Sequence, residues 1–210
     1  MRRADEKQAL YDAFAAGTGS TILVTGSTAP QPRYQNVEAH GHYDADRQVL
    51  IDNMVSADGR AGYYVLTPFA LEGGGWLMVN RGWVPVGRSR QLRPDVAVGG
   101  DARVLRGRTD HLPVPGIRMG TAAKLSAPYP ALANFPTLAD LSSLYGIKEF
   151  SPATQVLLLD KDEADGYLRA WTPPGISPLR HLAYAVQWFG LALALIVIYI
   201  VTNLKRIAHA

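Results

Sequence analysis

The stretch Tyr63–Val86, YYVLTPFALEGGGWLMVNRGWVPV, decides the fold. Its halves, 63–71 and 76–86, are rich in β-branched and aromatic residues, and the turn signal EGGG separates them. So short a connection favours an antiparallel hairpin, because a parallel crossover needs a dozen or more residues. The same reading extends to both sides. Runs 21–25, 34–43, 47–55 and 102–109 read as strands, with YDAD (43–46) and SADGRAG (56–62) as turns. A Pro/Gly-rich loop follows, with LPVPG (112–116) and APYP (127–130), and TQVLLLD (154–160) reads as a last buried strand. PTLADLSSLYG (136–146) reads as a short helix with capping-box spacing at Thr137 and Asp140 and a stop at Gly146. Residues 3–15 read as another helix, stopped by Gly17. The expected fold class is mixed and β-dominated: an antiparallel sheet or partly closed β-barrel with short helices.

The second half of the hairpin is unusual. Asn80 and Arg81 interrupt a run that otherwise reads as core, and Gly82 follows them. A glycine inside a strand marks a bulge or a close backbone approach. One reading is a structural bulge whose Arg81 snorkels or pairs with a carboxylate. The other is a partner-contact surface made by Asn80, Arg81, Gly82 and Trp83.

Composition narrows the function. The chain has 210 residues, 48% of them apolar and 19% charged, which suits one ordinary domain with an accessory element. A net charge of +3 with scattered basic residues excludes a nucleic-acid stripe. The absence of cysteine excludes disulfides, thiolate catalysis and cysteine-based metal sites. His40 and His42 share one side of a strand but have no third metal ligand, so a solvated strand face is expected. DKDEADG (160–166) has the wrong register for a calcium loop, with Ala164 at the fifth position and glycine at the seventh. No helix follows Gly73-Gly74-Gly75, so it is no phosphate loop, and no serine sits in G-x-S-x-G. These residues give no enzyme signature, and a hydrolase or metalloenzyme reading has no catalytic constellation to rest on.

The C-terminus changes character. From Leu182 to Leu204 no residue is charged. At about 1.5 Å per residue that segment spans roughly 34 Å, against a hydrocarbon core of about 30 Å. Arg180 and Lys205-Arg206 bracket it, and Trp188 and Tyr199 lie near its ends, where interfacial aromatics belong. A transmembrane helix in lipid is expected. Lys161, Arg169 and Arg180 on one side against Lys205 and Arg206 on the other do not fix its orientation. The chain start, MRRADEKQAL, lacks the apolar core of a signal peptide. The expected organisation is a short helix (1–17), a β-rich domain (18–170), a Pro-rich linker (171–179), a membrane helix (180–204) and a tail (205–210). At 100° per residue His181, Tyr184, Trp188, Ala192, Leu195 and Tyr199 share one stripe, with Gln187 off it toward Leu191 and Ala194. His181 reads either as an interfacial anchor in the headgroups or as a ligand of haem iron, with Tyr184 and Trp188 as flat surfaces against the macrocycle. The residues alone leave both open.

Three stretches together, RQVLIDNMVSADGRAGYYVLTPF (47–69), MVNRGWVPV (78–86) and RHLAYAVQWFGLALALIVIY (180–199), carry a resemblance. They are similar to the Surfeit locus protein 1 family, assembly factors for haem-copper cytochrome c oxidases, and the likeness runs from Arg3 to Arg206. The resemblance implies a β-rich domain outside the membrane between two transmembrane helices, periplasmic at the bacterial inner membrane, with the tail cytoplasmic. Arg3 and Lys7 resemble the Arg-x-x-x-Lys element that follows the family's first helix, so the chain is expected to start just after that helix. Haem a delivery to the large catalytic subunit of the oxidase, or maturation of that subunit, is the implied role. The implied partners are that subunit and the haem a synthesis machinery. His181 matches the family's implicated haem ligand, and Arg180 beside it suits a propionate. The alternative is a scaffold that stabilises an oxidase intermediate through protein contacts and holds no haem.

Overall fold

The computed structural model describes residues 2–16, 19–87, 89, 92–113, 128–148, 150–173 and 178–207, and their side chains except at 2–7, 16, 178–182 and 204–207. Its elements are α1 (Arg2–Ala16), β1 (Ile22–Val24), β2 (Asn36–Tyr43), β3 (Val49–Val55), β4 (Ala61–Leu71), β5 (Trp76–Pro85), β6 (Arg103–Asp110), β7 (Ala131–Ala133), α2 (Leu138–Tyr145), β8 (Val156–Leu159) and α3 (Pro178–Ile207). Gly17, the middle of the Pro/Gly-rich loop (114–127) and most of the linker (174–177) lie outside the described residues.

The hairpin forms as expected, with β4 and β5 paired antiparallel from Ala70↔Trp76 to Gly62↔Pro85. Length then gives β4 its wider role, for its eleven residues can pair with two strands along the opposite edge. β3 takes Ala61 to Leu66, and the end of β2 takes Phe69 to Leu71. The turn expected at YDAD is therefore not a hairpin turn. β2 and β3 do not pair with each other; they lie end to end along β4, and residues 44–48 round a corner opposite only Thr67 and Pro68. Pro68 has no N–H to offer that edge, but its carbonyl accepts from Asp44 N at 2.9 Å. Thr67 Oγ1 donates to Gln48 Oε1 at 3.1 Å and fastens the far end of the corner.

The short β2–β4 seam closes a barrel. Five strands run in the cycle β2-β6-β8-β5-β4 and back to β2. β1 adds parallel to β2 outside this cycle, and β3 carries the parallel β7. β7 falls inside the Pro/Gly-rich loop, and three residues are too few to show a period. β8 is parallel to β5 and antiparallel to β6, so the sheet mixes both kinds of pairing.

Alternation along each strand sorts the core. Val37, Tyr43, Phe69, Leu77, Val79 and Leu157 belong to the cluster inside the barrel. Met78, Leu66, Val156 and Leu158 belong to a second cluster, which α2 covers with Leu141 and Tyr145. The Thr137–Asp140 capping box is present and Gly146 closes α2, as the spacing implied. His40 lies half-exposed on the outer side of β2, with Nε2 2.8 Å from Glu38 Oε1, and His42 is exposed. That hydrogen bond, followed by one from Arg106, holds the Glu38 carboxyl below the usual range. Contacts divide the chain into the β unit, Ala16–Trp171, and a second unit formed by the terminal segments.

The seam is tight. A Cβ on Gly41 would stand 1.9 Å from the Ala70 carbonyl oxygen and 2.9 Å from the Phe69 ring. Gly41→Val should therefore force β2 from β4 and cost about 3 kcal/mol. The check is the thermal unfolding midpoint of the full chain in detergent, followed by near-ultraviolet circular dichroism, which should fall.

Candidate functional site

Two groups of residues were expected to carry function, and each lies in its own unit. The first is Asn80, Arg81, Gly82 and Trp83. In the ladder Tyr64 faces Trp83 and Leu66 faces Asn80, so Val65 alone spans Arg81 and Gly82. This is a bulge. Gly82 sits at φ +114°, a conformation that other residues rarely adopt, and its bare Cα lets Leu168 O and Tyr167 C come within about 3 Å of where a Cβ would be.

The expected contact surface is not a surface. Asn80 and Arg81 are each 1% exposed and Trp83 4%, and Gly82 is buried with them. Among the described residues Arg81 finds carbonyl oxygens rather than the expected carboxylate. Its Nη1 donates to Gln48 Oε1 and Val96 O, both at 2.9 Å, and its Nε donates to Asp165 O at 2.8 Å. Nη2 reaches Ala97 O at 3.4 Å. Tyr43 and Tyr167 lie against the guanidinium, with ring centroids 5.6 and 5.1 Å from Cζ. Burial pushes the Tyr43 phenol up, against the opposing pull of Arg81 and Arg103, and burial likewise raises Tyr167.

The neighbouring side chains are used locally. Asn80 Oδ1 accepts from Gly82 N at 3.1 Å and braces the bulge. Trp83 Nε1 donates to Met54 O at 3.1 Å, with Arg60 over its ring. Gln48, Tyr43 and Tyr167 were not foreseen, because an amide and two aromatics in separate runs carry no pattern that marks them as partners of Arg81.

DKDEADG is an exposed acidic turn, but its backbone has a use. Arg169 Nη1 donates to Glu163 O at 2.8 Å and to Asp160 O, while Asp165 O serves Arg81. Burial raises the Asp160 carboxyl. Among the described residues no group of histidine and carboxylate side chains is arranged to hold a metal ion.

The second group lies on α3. Residues Ala183–Asn203 form a helix apolar and long enough to cross a membrane, with mean hydropathy 2.2 and no part of that window buried. Thr202 and Asn203 return their polar groups to the carbonyls of Ile198 and Tyr199, which keeps them satisfied in an apolar surrounding. Arg180 and His181 lie within the first turn of α3; their side chains, with those of Lys205 and Arg206, are outside the described residues, as are those of Arg3 and Lys7 in α1. Tyr184 and Trp188, one and two turns beyond His181, are 51% and 70% exposed. Both rings lie on the helical stripe that starts at position 181.

The profile of the SURF1 family matches residues 1–193. The chain belongs to the SURF1 family. A SURF1-like protein of Rickettsia bellii is 25% identical over 211 residues, covering 95% of this chain and 81% of its own length. An uncharacterised SURF1-like protein of Mycobacterium bovis is 28% identical over 177 residues, 78% of this chain. The aligned region is 58% of that mycobacterial protein, and the corresponding protein of Mycobacterium tuberculosis H37Rv matches equally. The SURF1 family is linked to oxidase assembly, and α3 supports membrane association of this member.

Two substitutions test the reading of the SURF1 bulge. Arg81→Ala takes one of two donors from Gln48 Oε1, removes the guanidinium from the buried Val96 carbonyl and the Asp165 carbonyl, leaves a cavity, and should cost about 3 kcal/mol. Gly82→Val should cost about 1–3 kcal/mol through backbone strain and the crowding of Leu168. Both should lower the unfolding midpoint of the full chain. An Arg81→Ala protein as stable as the parent would mean that the guanidinium is dispensable to the fold.

Proposed function

We propose that this SURF1 member is a non-catalytic, membrane-anchored assembly factor that carries haem a to the large catalytic subunit of a haem-copper cytochrome c oxidase. The family's link to oxidase assembly supports the oxidase as the object of its work. One observation carries the haem part: Tyr184 and Trp188 present exposed rings on the stripe that begins at His181. In this reading His181 gives its imidazole nitrogen to the iron, Tyr184 and Trp188 lie along the macrocycle, and Arg180 meets a propionate. Haem a is cargo here, taken from the machinery that makes it and passed to the oxidase subunit. The β unit stands on the periplasmic side of a bacterial inner membrane, with Lys205 and Arg206 in the cytoplasm.

His181→Ala removes an iron ligand and, at the head of a helix, little packing. In cells making haem A the variant should accumulate in membranes at the parental level yet purify without the haem a absorption bands. Full haem occupancy would place the iron elsewhere and leave His181 as an interfacial anchor, whereas a parental protein that itself purifies without haem a would favour the protein-contact scaffold. Tyr184→Ala and Trp188→Ala should each lower occupancy more than Gln187→Ala, which lies off the stripe. A reporter fused after Ala210 should be active only if it works in the cytoplasm; activity of a periplasm-only reporter there would overturn the orientation.

A further inference from the structure

No further inference is drawn: the strongest candidate, the exposed face of α3 that carries Gln187, Gly190 and Ala194, is an unpartnered helix face, and nothing in the structure shows what covers it.

Discussion

A guanidinium belonging to a residue 1% exposed, held by carbonyl oxygens, is the constraint around which the β unit is arranged. Burying a cation is unfavourable unless its donors are met, and Arg81 meets them with groups from remote parts of the chain: Gln48 at the β2–β3 corner, Val96 and Ala97 before β6, Asp165 after β8. A lysine could not serve so many directions, since its donors radiate from one atom, whereas those of arginine are fixed in a plane. The aromatic rings of Tyr43 and Tyr167 complete the enclosure where hydrogen bonds do not. The guanidinium thus does for this end of the barrel what apolar side chains do for the interior, but with directional bonds that specify a single arrangement.

What the sequence disclosed follows from where information is local. Strand positions, the capping box of α2, the bulge at Gly82 and the apolar span of α3 depend on residues near one another in the chain, and they were legible. The corner at residues 44–48 was misread because YDAD has turn chemistry, and that chemistry does not say whether the chain reverses or merely bends. The partner that decides it, Pro68 and Thr67 of β4, lies some twenty positions on. The surroundings of Arg81 were left open between a structural bulge and a contact surface for a related reason. A polar residue in an apolar strand signals something unusual, but whether it faces solvent or a ring of carbonyls is settled by loops whose sequences carry no period. On α3 the aromatic stripe was visible in the spacing of Tyr184 and Trp188 from His181, since helical periodicity needs no tertiary information.

The two units answer to different solvents. In the β unit, polar groups such as Asn80 and Thr109 are buried and satisfied by hydrogen bonds, Asn80 within its own bulge and Thr109 to the Gln35 amide. On α3 the apolar residues are exposed and the polar ones, Thr202 and Asn203, turn back on their own helix. That inversion is what a hydrocarbon surrounding requires of a spanning segment. Tyr184 and Trp188 depart from aliphatic character within the same span, which gives that stripe its interest for a family that serves an oxidase.

The position of β8 has a consequence for synthesis. It is the last strand in the chain, yet it lies between β5 and β6 rather than at an edge. Until Leu159 has left the ribosome, β5 and β6 each present a row of unpaired amide and carbonyl groups, and the cycle cannot close. A chain stalled or cleaved before that point is an open sheet with two adhesive borders. The nascent domain therefore has a vectorial schedule: hairpin first, wedge last, and the apolar helix only after the wedge is made.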